Sequence, residues 1–173
     1  MRLRTSFDFG AAGDDLRHYW TIYGGWAAVY RSPIFWMSIL SAALCWPLLD
    51  DGAWHSAVFS IVPTVMAFTL SSMAIILALP ASPLFRVFAE EGRDDSYFLD
   101  LTSKLVHFVF IQTVCLLLGL IGRAHDCFPL NFFGLAALFY VVFTGALMAL
   151  SFYGMARLFN RSEKVKNKTQ RDQ

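Results

Sequence analysis

Few side chains in this sequence could do chemistry, and their spacing assembles no known catalytic constellation. His107 lies one helical turn after Lys104 and is the most provocative of them, because an imidazole titrates near neutral pH. At the inner end of an apolar helix, however, a histidine is first read as a polar residue snorkelling to the headgroups. His55 and His125 lie near the opposite surface, and His125-Asp126-Cys127 offers too few converging ligands for a metal. Cys45, Cys115 and Cys127 form an odd set. Cys115 is expected to be buried and inert, and Cys45 and Cys127 to remain free thiols near the outer surface. The acidic turn from Glu90 to Asp95 lacks the alternating ligands of a calcium loop and reads as solvated. No nucleophile elbow, phosphate loop, HExxH or dinucleotide fingerprint occurs. The expectation is no enzyme, no cofactor and no metal.

The polar residues worth following sit inside apolar segments. Ser60, Thr64, Ala67, Ser71, Ala74 and Ala78 follow one another at four- and three-residue steps, a helix face made only of small residues. Small faces let membrane helices approach closely, and hydroxyls can bond across the contact. Packing inside one bundle is the first reading of that face; a subunit interface or a pore lining is the sharper one. Phe108, Gln112, Cys115, Gly119 and Gly122 form a second seam. An amide at Gln112 must find a partner in hydrocarbon, and a hydroxyl on the small-residue helix is the simplest one; a polar constriction in a conduit is the alternative. Gly134, Ala137, Thr144 and Ser151 form a third seam, with Gly145 and Ala149 beside it.

The elements that must position these residues are membrane spans. Of 173 residues 57% are hydrophobic and 16% charged, against roughly a quarter charged in a soluble domain. Ser32 to Leu49, Ser56 to Phe85, Leu105 to Gly122 and Cys127 to Ala156 hold no Asp, Glu, Lys or Arg. Each reaches the roughly 18 residues needed to cross a bilayer. The fold class is therefore all-α: a polytopic four-transmembrane-helix bundle with an N-terminal interfacial amphipathic helix. Pro63 is the expected kink in the second span. No carboxylate lies in the four runs, which argues against a proton-coupled transporter or an intramembrane aspartyl protease.

Before the first span, residues 1–13 read as irregular. From Asp14 the residues Leu16, Tyr19, Trp20, Tyr23, Trp26, Ala27 and Tyr30 recur at helical spacing, with Asp14 or Asp15 as cap and a bend at Gly24-Gly25. Trp20, Tyr23, Trp26 and Tyr30 are the expected interfacial anchors, since such rings keep a polar atom at headgroup level. Ser82-Pro83 opens a short amphipathic helix over Leu84 to Ala89. The lysine-rich tail after Asn160 reads as frayed or disordered. The division is 1–31 cytoplasmic N-terminus and interfacial helix, 32–156 membrane domain, and 157–173 basic cytoplasmic tail.

Arg2, Arg4, Arg17, Arg31, Arg86, Arg93, Lys104 and the tail cations fall on one side, and only Arg123 on the other. The positive-inside rule then places both termini in the cytoplasm. With no secretory leader read in the first residues, the first span is expected to act as its own insertion signal. A net charge of +1 gives no footprint for nucleic acid.

The stretches YWTIYGGWAAVYRSPIFW at 19–36, SIVPTVMAFTLSSMAIILAL at 60–79 and LVHFVFIQTVCLLLGLI at 105–121 resemble uncharacterised small four-span proteins of the bacterial inner membrane. Such proteins often have Gly-Gly where this chain has Ser71-Ser72, so no functional residue is carried over. The resemblance implies a multi-pass protein of the bacterial inner membrane and no particular activity. The expected partners are the lipid bilayer and further copies of the chain. A channel or pore built from several copies is the first functional expectation. The alternative is a sensor or anchoring subunit that recruits a cytosolic protein partner, with membrane components of anti-phage defence systems as an analogous setting.

Overall fold

The computed structural model describes residues 9–45, 47, 52–78, 96–125 and 127–171, all helical apart from caps and short turns. The elements are α1 (Phe9–Tyr23), α2 (Gly25–Arg31), α3 (Pro33–Leu44), α4 (Ala53–Ala78), α5 (Tyr97–Ala124) and α6 (Phe128–Arg171). The amphipathic helix over 84–89, the acidic turn at 90–95 and the initial residues 1–8 lie outside the described residues.

Local sequence sets most of the boundaries. Gly24 and Gly25 have φ of 96° and 64°, a left-handed conformation that only glycine adopts without strain, so α1 and α2 part there. Ser32 is extended ahead of Pro33, which begins α3, and the axis bends by 54° between α2 and α3. Ser96 caps α5, its hydroxyl accepting from the Leu99 amide at 3.4 Å. Pro63 lies within α4 without ending it.

Three helices are long and apolar enough to cross a membrane: α4, α5 and the Phe128–Arg157 part of α6. The bent pair α2 and α3 brings the number to four if it counts as one broken span. At about 1.5 Å per residue, α3 alone is roughly 18 Å long, short of the ~30 Å hydrocarbon layer.

Two terminal expectations are corrected. The N-terminal helix begins at Phe9, so Asp14 and Asp15 lie inside it and cap nothing. Residues 9–13 include two alanines and join the helix in spite of their weak periodicity. The tail is not frayed from Asn160; α6 continues to Arg171. No proline or glycine interrupts it after Gly154.

Packing is antiparallel. α3 packs on α6, α6 on α5, and α5 on α4, while α1 lies against α5. α4 meets α6 at its Trp54 end, and farther along an apolar groove of about 770 Å³ floored by Phe108 and Leu105 lies between them. The buried core runs along α5 and α6, with Trp54, Val58 and Val62 entering from α4.

Candidate functional site

The two ends of the bundle are built from opposite materials. At the end where α5 begins, α1 returns across the bundle and sets two tyrosines against α5. Tyr19 and Tyr23 are one turn apart and share a face. The Tyr19 hydroxyl stands 2.9 Å from His107 Nδ1, and the Tyr23 ring stacks on the imidazole with centroids 3.9 Å apart and planes at 17°. The other ring nitrogen, Nε2, faces the Tyr140 hydroxyl of α6 at 3.4 Å. In either tautomer one nitrogen donates to a tyrosine and the other accepts from one. Burial, with Tyr140 adding to it, holds the Tyr19 phenol up at about 12; the same two causes and a hydrogen bond to Tyr140 push Tyr23 well above its ordinary value.

His107 is 4% exposed, so the snorkelling reading is corrected: the imidazole is enclosed by three tyrosines, two from α1 and one from α6. Spacing within α5 could not show this, because two of the three tyrosines come from α1. The available signal was a pair of tyrosines one turn apart whose hydroxyls needed partners.

Beside this cluster lies a cavity of about 350 Å³. Lys104, His107, Tyr140, Thr144 and Ser151 bring polar atoms to it. Lys104 is held by Asp100 at 2.6 Å, so the charge there is balanced. Thr144 is 7% exposed and its buried hydroxyl has no partner among the described residues.

At the other end the packing is closed by size. Trp54, 1% exposed, lies over Gly122 and Gly134. A Cβ on Gly122 would come within 2.9 Å of the Trp54 ring and His55 Nε2, and one on Gly134 would overlap the same ring outright. His55 lies against Trp54 with centroids 4.1 Å apart, its Nδ1 3.1 Å from the Gly52 carbonyl. Cys45, Cys115 and Cys127 are free thiols. Among the described residues no group of three His, Cys, Asp or Glu side chains could hold a metal ion.

The residues singled out by spacing divide between inside and outside. Gln112 and Gly119 are buried, with Phe108, Cys115 and Gly122 on the same seam. Gln112 Nε2 donates to Thr69 Oγ1 of α4 at 3.0 Å, a hydroxyl partner of the kind expected. Gly119 gives room to Val58. Ser60, Thr64, Ala67, Ser71, Ala74 and Ala78 are all exposed, so packing inside one bundle does not hold for that face. Their hydroxyls donate to their own helix, Thr64 to Ser60 O at 3.2 Å and Ser71 to Ala67 O at 2.9 Å. The reason is that α4 turns Trp54, Val58, Val62, Thr69 and Ile76 inward, and larger apolar groups fill the interior better. Of the aromatic residues, Trp20 and Tyr23 are partly buried and stack on each other, whereas Trp26 and Tyr30 are exposed. Trp26 meets Trp20 edge-on at 5.1 Å.

No protein-family model, curated protein or solved structure matches this chain.

Proposed function

We propose that this protein is a self-associating membrane sensor or anchoring subunit of the bacterial inner membrane. It crosses the membrane four times, with α3 and the uncharged residues that follow it as the first span, and keeps both termini in the cytoplasm. α1 and α2 lie along the inner interface, where their aromatic rings suit the headgroup level. The observation that carries this reading is the docking of α1 on His107, 88 positions away in sequence. A change in the cavity beside His107 would thereby alter a segment exposed to cytosolic partners, which is the coupling a sensor requires. The Gln112–Thr69 bond supports the same reading, since it engages the Nε2 end of this amide within one chain, although Oε1 has no partner among the described residues.

A pore between several copies is the second reading. It is favoured by the outward face of α4, whose hydroxyls could line a shared channel or whose alanines could admit a neighbouring helix. One experiment addresses both. The mass of the particle in nanodiscs is compared with conductance in planar bilayers, for the parent and for Ala67→Leu. We expect an oligomer without conductance, reduced in size by the substitution. A monomer removes self-association, and conductance lost in Ala67→Leu makes the pore the better reading. Orientation is checked with an impermeant thiol reagent on whole cells, which should label a cysteine replacing Gly52 and spare one replacing Lys166.

A further inference from the structure

The cavity between α3, α5 and α6 has the properties of a binding site rather than a packing defect. Its first property is an unused hydroxyl. In membrane helices Ser and Thr usually bond back to a carbonyl of their own helix. Thr64, Thr69, Thr102 and Thr113 all do so, at 2.8 to 3.2 Å. Thr144 does not; the residue lines the cavity, and its Oγ1 is buried and has no partner among the described residues. A buried hydroxyl without a partner is costly, and a ligand oxygen would satisfy it.

The second property is charge balance. Lys104 at the cavity is already paired with Asp100 at 2.6 Å, and the other polar groups, Tyr140, Thr144, Ser151 and His107, bring hydrogen bonds. Anionic ligands would have to displace or face the Asp100 carboxylate, whereas a neutral acceptor would not. The third property is the remaining wall. Ile34, Leu147, Met148 and Leu150 line it, and Leu147 and Leu150 are exposed on the outer surface of α6, where an apolar tail could leave toward lipid. A volume of about 350 Å³ falls within the range of small-molecule pockets.

We infer that this cavity binds a neutral lipophile whose head presents carbonyl oxygens, with Thr144 and Tyr140 donating to them. A quinone ring and an acylglycerol head share that chemistry. The inference does not depend on self-association and stands or falls separately from it.

The test uses the full chain in nanodiscs, titrated by calorimetry with decylubiquinone, dioctanoylglycerol and, as an anionic comparison, a short-chain phosphatidylglycerol. One of the two neutral probes should saturate at one site per chain, and which one does so identifies the source. Thr144→Val should weaken that binding about three- to tenfold, the loss of one hydrogen bond. It should leave thermal unfolding unchanged or raised, because it removes an unsatisfied buried hydroxyl. Leu147→Trp, at an exposed position on the mouth, should block the site while the chain stays folded. The inference is overturned if neither neutral probe saturates, if the anionic lipid binds more tightly than both, or if Thr144→Val and Leu147→Trp bind as the parent does.

Discussion

The Trp54 end and the His107 end of the bundle both bring aromatic rings against α5 and α6, yet they solve opposite problems. At the first, an indole fills space left by the absence of side chains at Gly122 and Gly134. At the second, three phenols surround an imidazole, and a polar cavity remains beside them. The Trp54 end is specified chiefly by shape, so small changes in volume are costly there. The polar end is specified by hydrogen bonds, each of modest net worth.

The sharpest way to break the comparison is Gly134→Ala. Its new Cβ would overlap the Trp54 ring, with backbone on one side and a rigid indole on the other. We expect a loss of about 3 kcal/mol, the upper part of the range for overpacking, measured by unfolding in mixed micelles. A partial recovery on combining it with Trp54→Phe would confirm shape as the cause. A loss below about 0.5 kcal/mol, typical of unconstrained sites, would mean that the Trp54 end is not tightly fitted.

Tyr19→Phe should cost less, about 1 kcal/mol for one hydrogen bond. The loss should fall on α1, seen as faster amide exchange there with α4 unaffected. Alkaline pH should do the same to the parent protein. A phenol whose value is raised in the docked state favours docking only while protonated. The contact is therefore intact below the ordinary value of 10.0 and is lost as pH rises through about 12. Trp20 fluorescence should report release of α1 in that window, and a flat trace in which Tyr19→Phe matches the parent would contradict the proposed docking.

The Gln112–Thr69 pair lies between the two ends. A double-mutant cycle with Gln112→Leu and Thr69→Val should give a coupling of about 0.6 kcal/mol, and at most about 1.7, the range for interhelical hydrogen bonds in membranes. A coupling of zero would mean that the amide is satisfied elsewhere.

The smallest effect on folding is expected on the outer face of α4. Ala67 is exposed in the single chain, so Ala67→Leu should change its stability by no more than about 0.5 kcal/mol. Any larger effect should appear only in the size of the assembled particle. A clear loss of stability in the single chain would place Ala67 at an internal contact and contradict the outward face.

The sequence alone determined that the chain has three helices long and apolar enough to cross a membrane. A bilayer sorts residues by transfer free energy along one dimension, and long runs without charge answer to that directly. Thus the uncharged run that begins at Ser56 contains most of α4, Ala53–Ala78, and Gly24-Gly25 parts the N-terminal helices because only glycine tolerates positive φ there. Gln112 was bound to seek a hydroxyl for the same one-dimensional reason; that it is Thr69 was set by how α4 and α5 are rotated. Rotation is what the sequence left open. In hydrocarbon the inward and outward faces of a helix are both apolar, so hydrophobicity does not distinguish them, and the small-residue face of α4 could have pointed either way. Tertiary structure turned it outward by placing Trp54, Val58 and Val62 inside. It also enclosed His107, because the tyrosines that bury it arrive from α1 and α6, and no local spacing on α5 can announce partners 33 and 88 positions away.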